Sequence, residues 1–222
     1  MALEIFYVSG SPYSWRVMLA AEVKEVPYQA RLLSLSKHEN RTPEFLKMNP
    51  RGRTPLLKDG DFVVTESLAM MVYVDSLSAK NPLFGANPKE AARIWEAVSE
   101  VVFDLEKAGL QFAQPVLFGS PTAGSTEPMK AGAEKLLGEL RVMEERLGRG
   151  AYLVGDAITA ADLAAFPLIM FMARAAAKDF ARDLDLGILP LETRFPKIAA
   201  WIKRFEAMPF YEKIYPPHWR DG

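Results

Sequence analysis

Ser11-Pro12-Tyr13-Ser14 carries a hydroxyl at each end of a short turn, between the apolar run Leu3–Val8 and a helix-like stretch from Trp15 to Val23. Thiol–disulfide oxidoreductases keep Cys-x-x-Cys at a strand-to-helix turn of this kind. This chain contains no cysteine. Any thiol chemistry at the turn must therefore act on a thiol brought from outside, and a hydroxyl can hold such a thiol ionised by donating a hydrogen bond to it. Three hydroxyls compete for that part: Ser11, Ser14 and Tyr13. A serine here also serves as an ordinary helix cap, a reading that suits Ser14 beside the helix start. Neither His38 nor His218 lies close enough in sequence to suggest a hydrolase dyad with Ser11.

Two more dipeptides stand at element boundaries. Thr54-Pro55 opens an extended run, and a strand tolerates proline at its first residue or on an edge. Glu66-Ser67 opens a helix through Leu77, where unpaired N–H groups and the helix dipole attract an anion. Plain capping has the same composition.

The elements that must position these groups alternate over the first eighty residues. Leu3–Val8 reads as a strand, Ser14–Val23 as a helix, Tyr28–Leu33 as a second strand and Pro43–Met48 as a short helix with proline in its first turn. Pro55–Lys58 and Phe62–Val64 flank Asp59-Gly60, a hairpin signal. The order β-α-β-α-β-β-α predicts a mixed four-stranded sheet. Lys80–Pro88, with two prolines and a glycine, is a linker by composition. Beyond it the periodicity is helical: Ile94, Val98, Val101 and Leu105; Leu136, Leu140, Met143 and Leu147; Leu163, Phe166, Met170, Ala173 and Ala177. Phe118–Pro128 reads as a loop between antiparallel helices. Thr159 and Asp162 form a capping box, stapled by Ile158 and Leu163, worth about 1 kcal/mol as a cap.

Composition narrows the function. The 222 residues are half hydrophobic and one quarter charged, with a net charge of −1, which gives no nucleic-acid footprint. Zero cysteine excludes a disulfide framework, a zinc–thiolate site and an iron–sulfur cluster, and two isolated histidines predict no metal site. Residues 1–10 lack a basic start followed by an apolar core. The longest apolar stretch, Ala160–Ala177, is interrupted by Asp162, Pro167 and Arg174 and falls short of the ~20 residues a membrane span needs. A cytoplasmic protein with no membrane partner is the default expectation.

Together, Ser11-Pro12-Tyr13-Ser14-Trp15-Arg16-Val17, Asn49-Pro50-Arg51-Gly52-Arg53-Thr54-Pro55, Glu66-Ser67, Gly155-Asp156 with the capping box, and Phe195-Pro196, Trp201 and Met208-Pro209 resemble the cytosolic glutathione transferases over nearly the whole chain. The first motif is most similar to the serine-type theta, zeta and phi classes. The resemblance implies a thioredoxin-like glutathione-binding domain over 1–80 and an all-helical domain over 88–222. It implies a detoxifying transferase that holds glutathione as thiolate beside Ser11 for attack on a small apolar electrophile, with glutathione as co-substrate and no metal. It assigns the cysteinyl backbone of glutathione to Thr54 ahead of a cis Pro55, the γ-glutamyl end to Glu66 and Ser67, and the glycine carboxylate to Arg41 and Arg53. The electrophile's pocket is expected between the domains, beside Pro12 and Tyr13 and a long helix containing Phe103 and Phe112. A homodimer is implied, the Glu66–Leu77 helix packing on its partner.

Two positions depart from the family pattern: Thr54 replaces the usual valine, and Asn40 stands where phi-like members place a histidine. The same resemblance admits a glutathione-dependent isomerase (maleylacetoacetate isomerase-like), although Pro12-Tyr13 replaces the Ser-Cys usual in zeta members. It also admits a dehalogenase or etherase, and a non-catalytic glutathione-binding or regulatory homologue.

Overall fold

Alternation makes the first strand: in β1 (Leu3–Tyr7) Leu3 and Ile5 are buried while their neighbours are half-exposed. The computed structural model describes residues 3–119 and 126–220. After β1 come α1 (Pro12–Val23), β2 (Tyr28–Leu32), α2 (Pro43–Met48), β3 (Leu56–Asp59), β4 (Phe62–Thr65) and α3 (Ser67–Ser76). The strands form a mixed sheet in the order β2-β1-β3-β4, with β1 parallel to β2 and antiparallel to β3. This is the four-stranded, thioredoxin-like arrangement expected from the element order.

Boundaries differ from the sequence reading by one or two residues. α1 begins at Pro12, two residues ahead of Ser14, because a proline at the first helical position gives up an N–H that would have no partner there. Asp59 pairs with Phe62, so the hairpin turn is Gly60-Asp61, with Gly60 at φ +59 in the first central position of a II′-type turn.

The pairing has one consequence for function. Phe6 faces Leu56, and Leu56 faces Thr65. The exit of β1, the entry of β3 and the exit of β4 therefore lie side by side at one end of the sheet. Behind them, Lys24 at the end of α1 is only 1% exposed and pairs with Asp75 of α3 at 2.7 Å. Lys24 also donates to the Asn81 carbonyl and Asp75 accepts from Leu83 N–H, tying α1, α3 and the following segment together.

The chain divides into two units, Met1–Phe84 with Pro209–Gly222, and Gly85–Met208. The helical domain expected over 88–222 thus ends at Met208. The tail, with a short helix Tyr211–Ile214, groups with the first unit because Trp15 of α1 lies against Tyr211, Tyr215 and Trp219 and Glu22 pairs with Lys213.

The second unit is helical throughout: α4 (Pro88–Glu100), a π-helical turn (Val101–Leu105), α5 (Glu106–Phe118), α6 (Thr126–Arg146), α7 (Ala160–Ala176), α8 (Asp179–Asp183), α9 (Leu191–Arg194) and α10 (Pro196–Glu206). The middle of the loop read over Phe118–Pro128 lies outside the described residues, and Thr126–Pro128 already belong to α6. The first two apolar stripes are buried. The third is not a stripe. α7 buries nearly its whole circumference, including Leu168, Ile169 and Phe171, as a helix that is hydrophobic all round must. Ala177 lies past its end and is exposed.

Asp162 does more than cap α7. Its carboxylate accepts from Thr159 N–H at 2.9 Å, Thr159 Oγ1 at 2.8 Å, Leu153 N–H at 2.8 Å and Trp201 Nε1 at 3.0 Å. Burial pushes the Asp162 carboxyl above the usual carboxylate range, and these bonds pull it back. Among the described residues, no helix is long and apolar enough to cross a membrane.

Removing Asp162 strands four buried donors, each worth about 1–3 kcal/mol when unpaired. Asp162→Ala is expected to cost ~3 kcal/mol or more, well beyond a single cap, in chemical denaturation. A loss within ~1 kcal/mol would show that those donors find other partners.

Candidate active site

The turn from β1 into α1 is built by its own backbone. Ser11 N–H donates to the Val8 carbonyl at 3.2 Å across Ser9 and Gly10, and Gly10 sits at φ +78 in the second central position, as a type II turn requires. Ser11 then caps α1: its Oγ accepts from Ser14 N–H at 3.4 Å. Ser14, expected as the cap, is buried, and its own Oγ accepts from Val8 N–H at 3.3 Å. Ser11 rather than Ser14 is therefore the cap, because the helix starts earlier than read. A hydroxyl that accepts through a lone pair retains its proton for donation. Ser11 is half-buried, so that proton can reach a ligand. Pro12 is buried at the first helical position, and Tyr13 is half-buried with the Arg16 guanidinium 5.1 Å from its ring centre.

Thr54-Pro55 is a cis peptide bond. Among the described residues, neither the N–H nor the C=O of Thr54 has a hydrogen-bond partner in the chain. The preceding turn, by contrast, is fully held. The carbonyls of Arg51, Gly52 and Arg53 accept in succession from Arg41 Nη1 at 3.3 Å, Asn40 Nδ2 at 2.7 Å and Asn49 Nδ2 at 2.8 Å. Asn49 Oδ1 also takes Arg51 N–H at 3.2 Å. Gly52 is at φ +59, and a Cβ there would meet Asn40 O at 2.9 Å and Arg41 Nη1 at 2.7 Å. Arg41 and Arg53 both remain exposed.

At the start of α3, Glu66 is a non-glycine residue at φ +73, a conformation that costs of order 1–3 kcal/mol. Its side chain makes no capping bond. Ser67 is buried at the first helical position, where the helix presents N–H groups without intrahelical partners. Neighbouring strands lie ~4.8 Å apart, so β1 to β4 spans roughly 10 Å, about the reach of an extended tripeptide.

Residues 10–77 match the family model of the glutathione S-transferase N-terminal domain, and 127–204 that of the C-terminal domain. The chain is 30% identical over 99% of its length to glutathione S-transferase A of Pleuronectes platessa, covering 94% of that protein. The chain belongs to the cytosolic glutathione transferases. It is also 32% identical over 98% of its length to elongation factor 1-gamma 2 of Oryza sativa subsp. japonica, of which it spans 53%. Among solved structures, a glutathione S-transferase from the Antarctic clam Laternula elliptica superposes with a TM-score of 0.84 at 27% identity, covering 100% of this chain and 95% of that one.

The transferase brings Ser11, Thr54-Pro55 and Glu66-Ser67 to one end of its sheet. Phe112, expected beside the pocket, is fully buried in the helical unit. Phe103 is 70% exposed on the π-helical turn. Asn40 and Asn49 were missed as positioning residues. Asn49 was visible within the quoted motif and Asn40 as a departure from the phi pattern, but bonds to carbonyls twelve and four residues away carry no sequence signal.

Asn49→Ala is expected to release the Arg53 carbonyl and Arg51 N–H at a cost of about 1–3 kcal/mol in stability. Steady-state kinetics should show a raised KM for glutathione. An unchanged KM would show that the turn does not hold Thr54 in place.

Proposed function

We propose that this transferase ionises glutathione by a hydrogen bond from the Ser11 hydroxyl and adds the thiolate to an electrophilic carbon of a small apolar compound. The observation that carries this reading is the direction of the Ser11 bond: Oγ accepts from Ser14 N–H and keeps its proton. A free thiol of pKa ~8.5 is only about 3% ionised at pH 7, and lowering that pKa by ~2 units requires ~2.7 kcal/mol. A hydrogen bond to a charged group supplies about 1.5–3 kcal/mol. The N-terminus of α1 adds ~0.3–1 kcal/mol. Together these suffice without a general base.

The rest of the tripeptide follows the sheet. The unpaired backbone of Thr54 is complementary to the cysteinyl backbone. The first turn of α3 at Ser67 suits the γ-glutamyl carboxylate, with the exposed Glu66 carboxylate available to its amino group. The exposed guanidinium groups of Arg41 and Arg53 supply positive charge for the glycine carboxylate. Pro12 and Tyr13 flank the thiol. A binding-only role, raised by the likeness to an elongation factor, leaves the Ser11 proton and the strain at Glu66 without purpose. The protein is expected to work in the cytoplasm as a homodimer. Phe62 and Val72, exposed at 52% and 43%, supply apolar surface for the partner.

In Ser11→Ala, ultraviolet titration of the bound thiol should move upward and turnover of a halogenated nitrobenzene should fall about tenfold or more, with glutathione affinity by calorimetry nearly intact. An unaltered titration curve would remove Ser11 from the role. Light scattering should give twice the chain mass; a monomer would contradict the dimer.

A further inference from the structure

The turn that carries Ser11 is gripped from outside by the tail of the chain. Its two central residues are the ones held. Ser9 Oγ lies 3.2 Å from His218 Nδ1. A Cβ on Gly10 would fall 2.7 Å from Trp219 Nε1 and 3.0 Å from the His218 ring, so the bare backbone at Gly10 is in direct contact with both rings. Ser11 is the next residue.

The grip is itself anchored. The Trp219 ring stands edge-on to Trp15 at 5.6 Å and to Tyr215 at 6.3 Å, and the backbone N–H of Trp219 donates to the Pro216 carbonyl at 3.0 Å. Tyr215 in turn meets Trp15 at 5.8 Å and has the Arg220 guanidinium 5.3 Å from its ring centre. Arg220 pairs with Glu212, and Lys213 with Glu22 on α1. A cavity of about 220 Å³ remains between this strap and the turn, bordered by Ser11, Ser14 and Met18 on one side and Ile214 and Tyr215 on the other. The turn therefore has room to shift if the strap lets go.

We propose that Trp219 and His218 are positioning residues, which act through Gly10 and Ser9 to hold the Ser11 hydroxyl on the reacting thiol. This rests on the assignment of thiol activation to Ser11. A hydrogen-bonding group displaced by 1 Å loses a large part of its effect, and the turn's own backbone bond, 3.2 Å from Ser11 N to Val8 O, is long for an N–H···O contact. Trp15 and Tyr215 hold the ring that closes on Gly10. Substitutions at the far end of the chain should thus read out at the thiol.

The test compares Trp219→Ala, Trp219→Phe and Ser11→Ala in the full chain, using glutathione and a halogenated nitrobenzene. Trp219→Ala should lower kcat about tenfold and raise the pKa of the bound thiol, leaving glutathione affinity by calorimetry within about twofold. Trp219→Phe, which keeps a ring against Trp15, should recover most of both. A purely structural contact would lower the melting temperature without moving the thiol titration. Should Trp219→Ala not fold, His218→Ala, which removes the bond to Ser9 and the ring against Gly10 but leaves Trp219 in place, should shift the titration in the same direction by less. An unshifted titration and kcat in the tail variants, beside a shifted Ser11→Ala, overturns the strap alone. An unshifted Ser11→Ala overturns the Ser11 assignment and the strap with it.

Discussion

The proposed chemistry depends on a single hydrogen bond: the Ser14 N–H donates to Ser11 Oγ. A serine at a helix start has one proton and two lone pairs. By taking a lone pair, the cap satisfies one of the first-turn N–H groups and fixes the orientation of the oxygen, yet consumes no donor. The proton is left over, at the positive end of a helix dipole.

Around that bond the chain spends its polar groups on rigidity and leaves them open where a ligand would lie. Three successive carbonyls before Thr54 are taken up by Arg41, Asn40 and Asn49, whereas Thr54 itself is unpaired among the described residues. Glu66 keeps a conformation that costs energy and makes no cap bond. Such sites survive when the surroundings over-determine them. Here the β3–β4 pairing ends at Thr65 and α3 begins at Ser67, which leaves Glu66 one residue in which to turn.

Much of this was legible in the sequence, for physical reasons that differ by element. Alternation and the Asp59-Gly60-Asp61 turn marked the hairpin to within one residue, since a glycine is needed for the positive φ. The stripes Ile94–Leu105 and Leu136–Leu147 marked amphipathic helices correctly. α7 misled because a helix buried all round has no face to count. Ser11 and Ser14 were both seen, but which one caps depended on whether Pro12 is the first helical residue or the last of the turn, a difference of two positions that propensity does not resolve. The resemblance puts Phe112 beside the pocket by its place on a long helix; single aromatic rings are more often core, and this one is fully buried. The tail was read as part of the helical domain because its grouping depends on ring contacts with Trp15, two hundred residues away in sequence.

The most direct measurement is a crystal structure of the protein with glutathione bound. The account predicts the sulfur within hydrogen-bond reach of Ser11 Oγ, with Ser14 N–H still donating to that oxygen and the cysteinyl backbone paired with Thr54. A sulfur resting on Ser14 or Tyr13, or a tripeptide bound away from this end of the sheet, would contradict it.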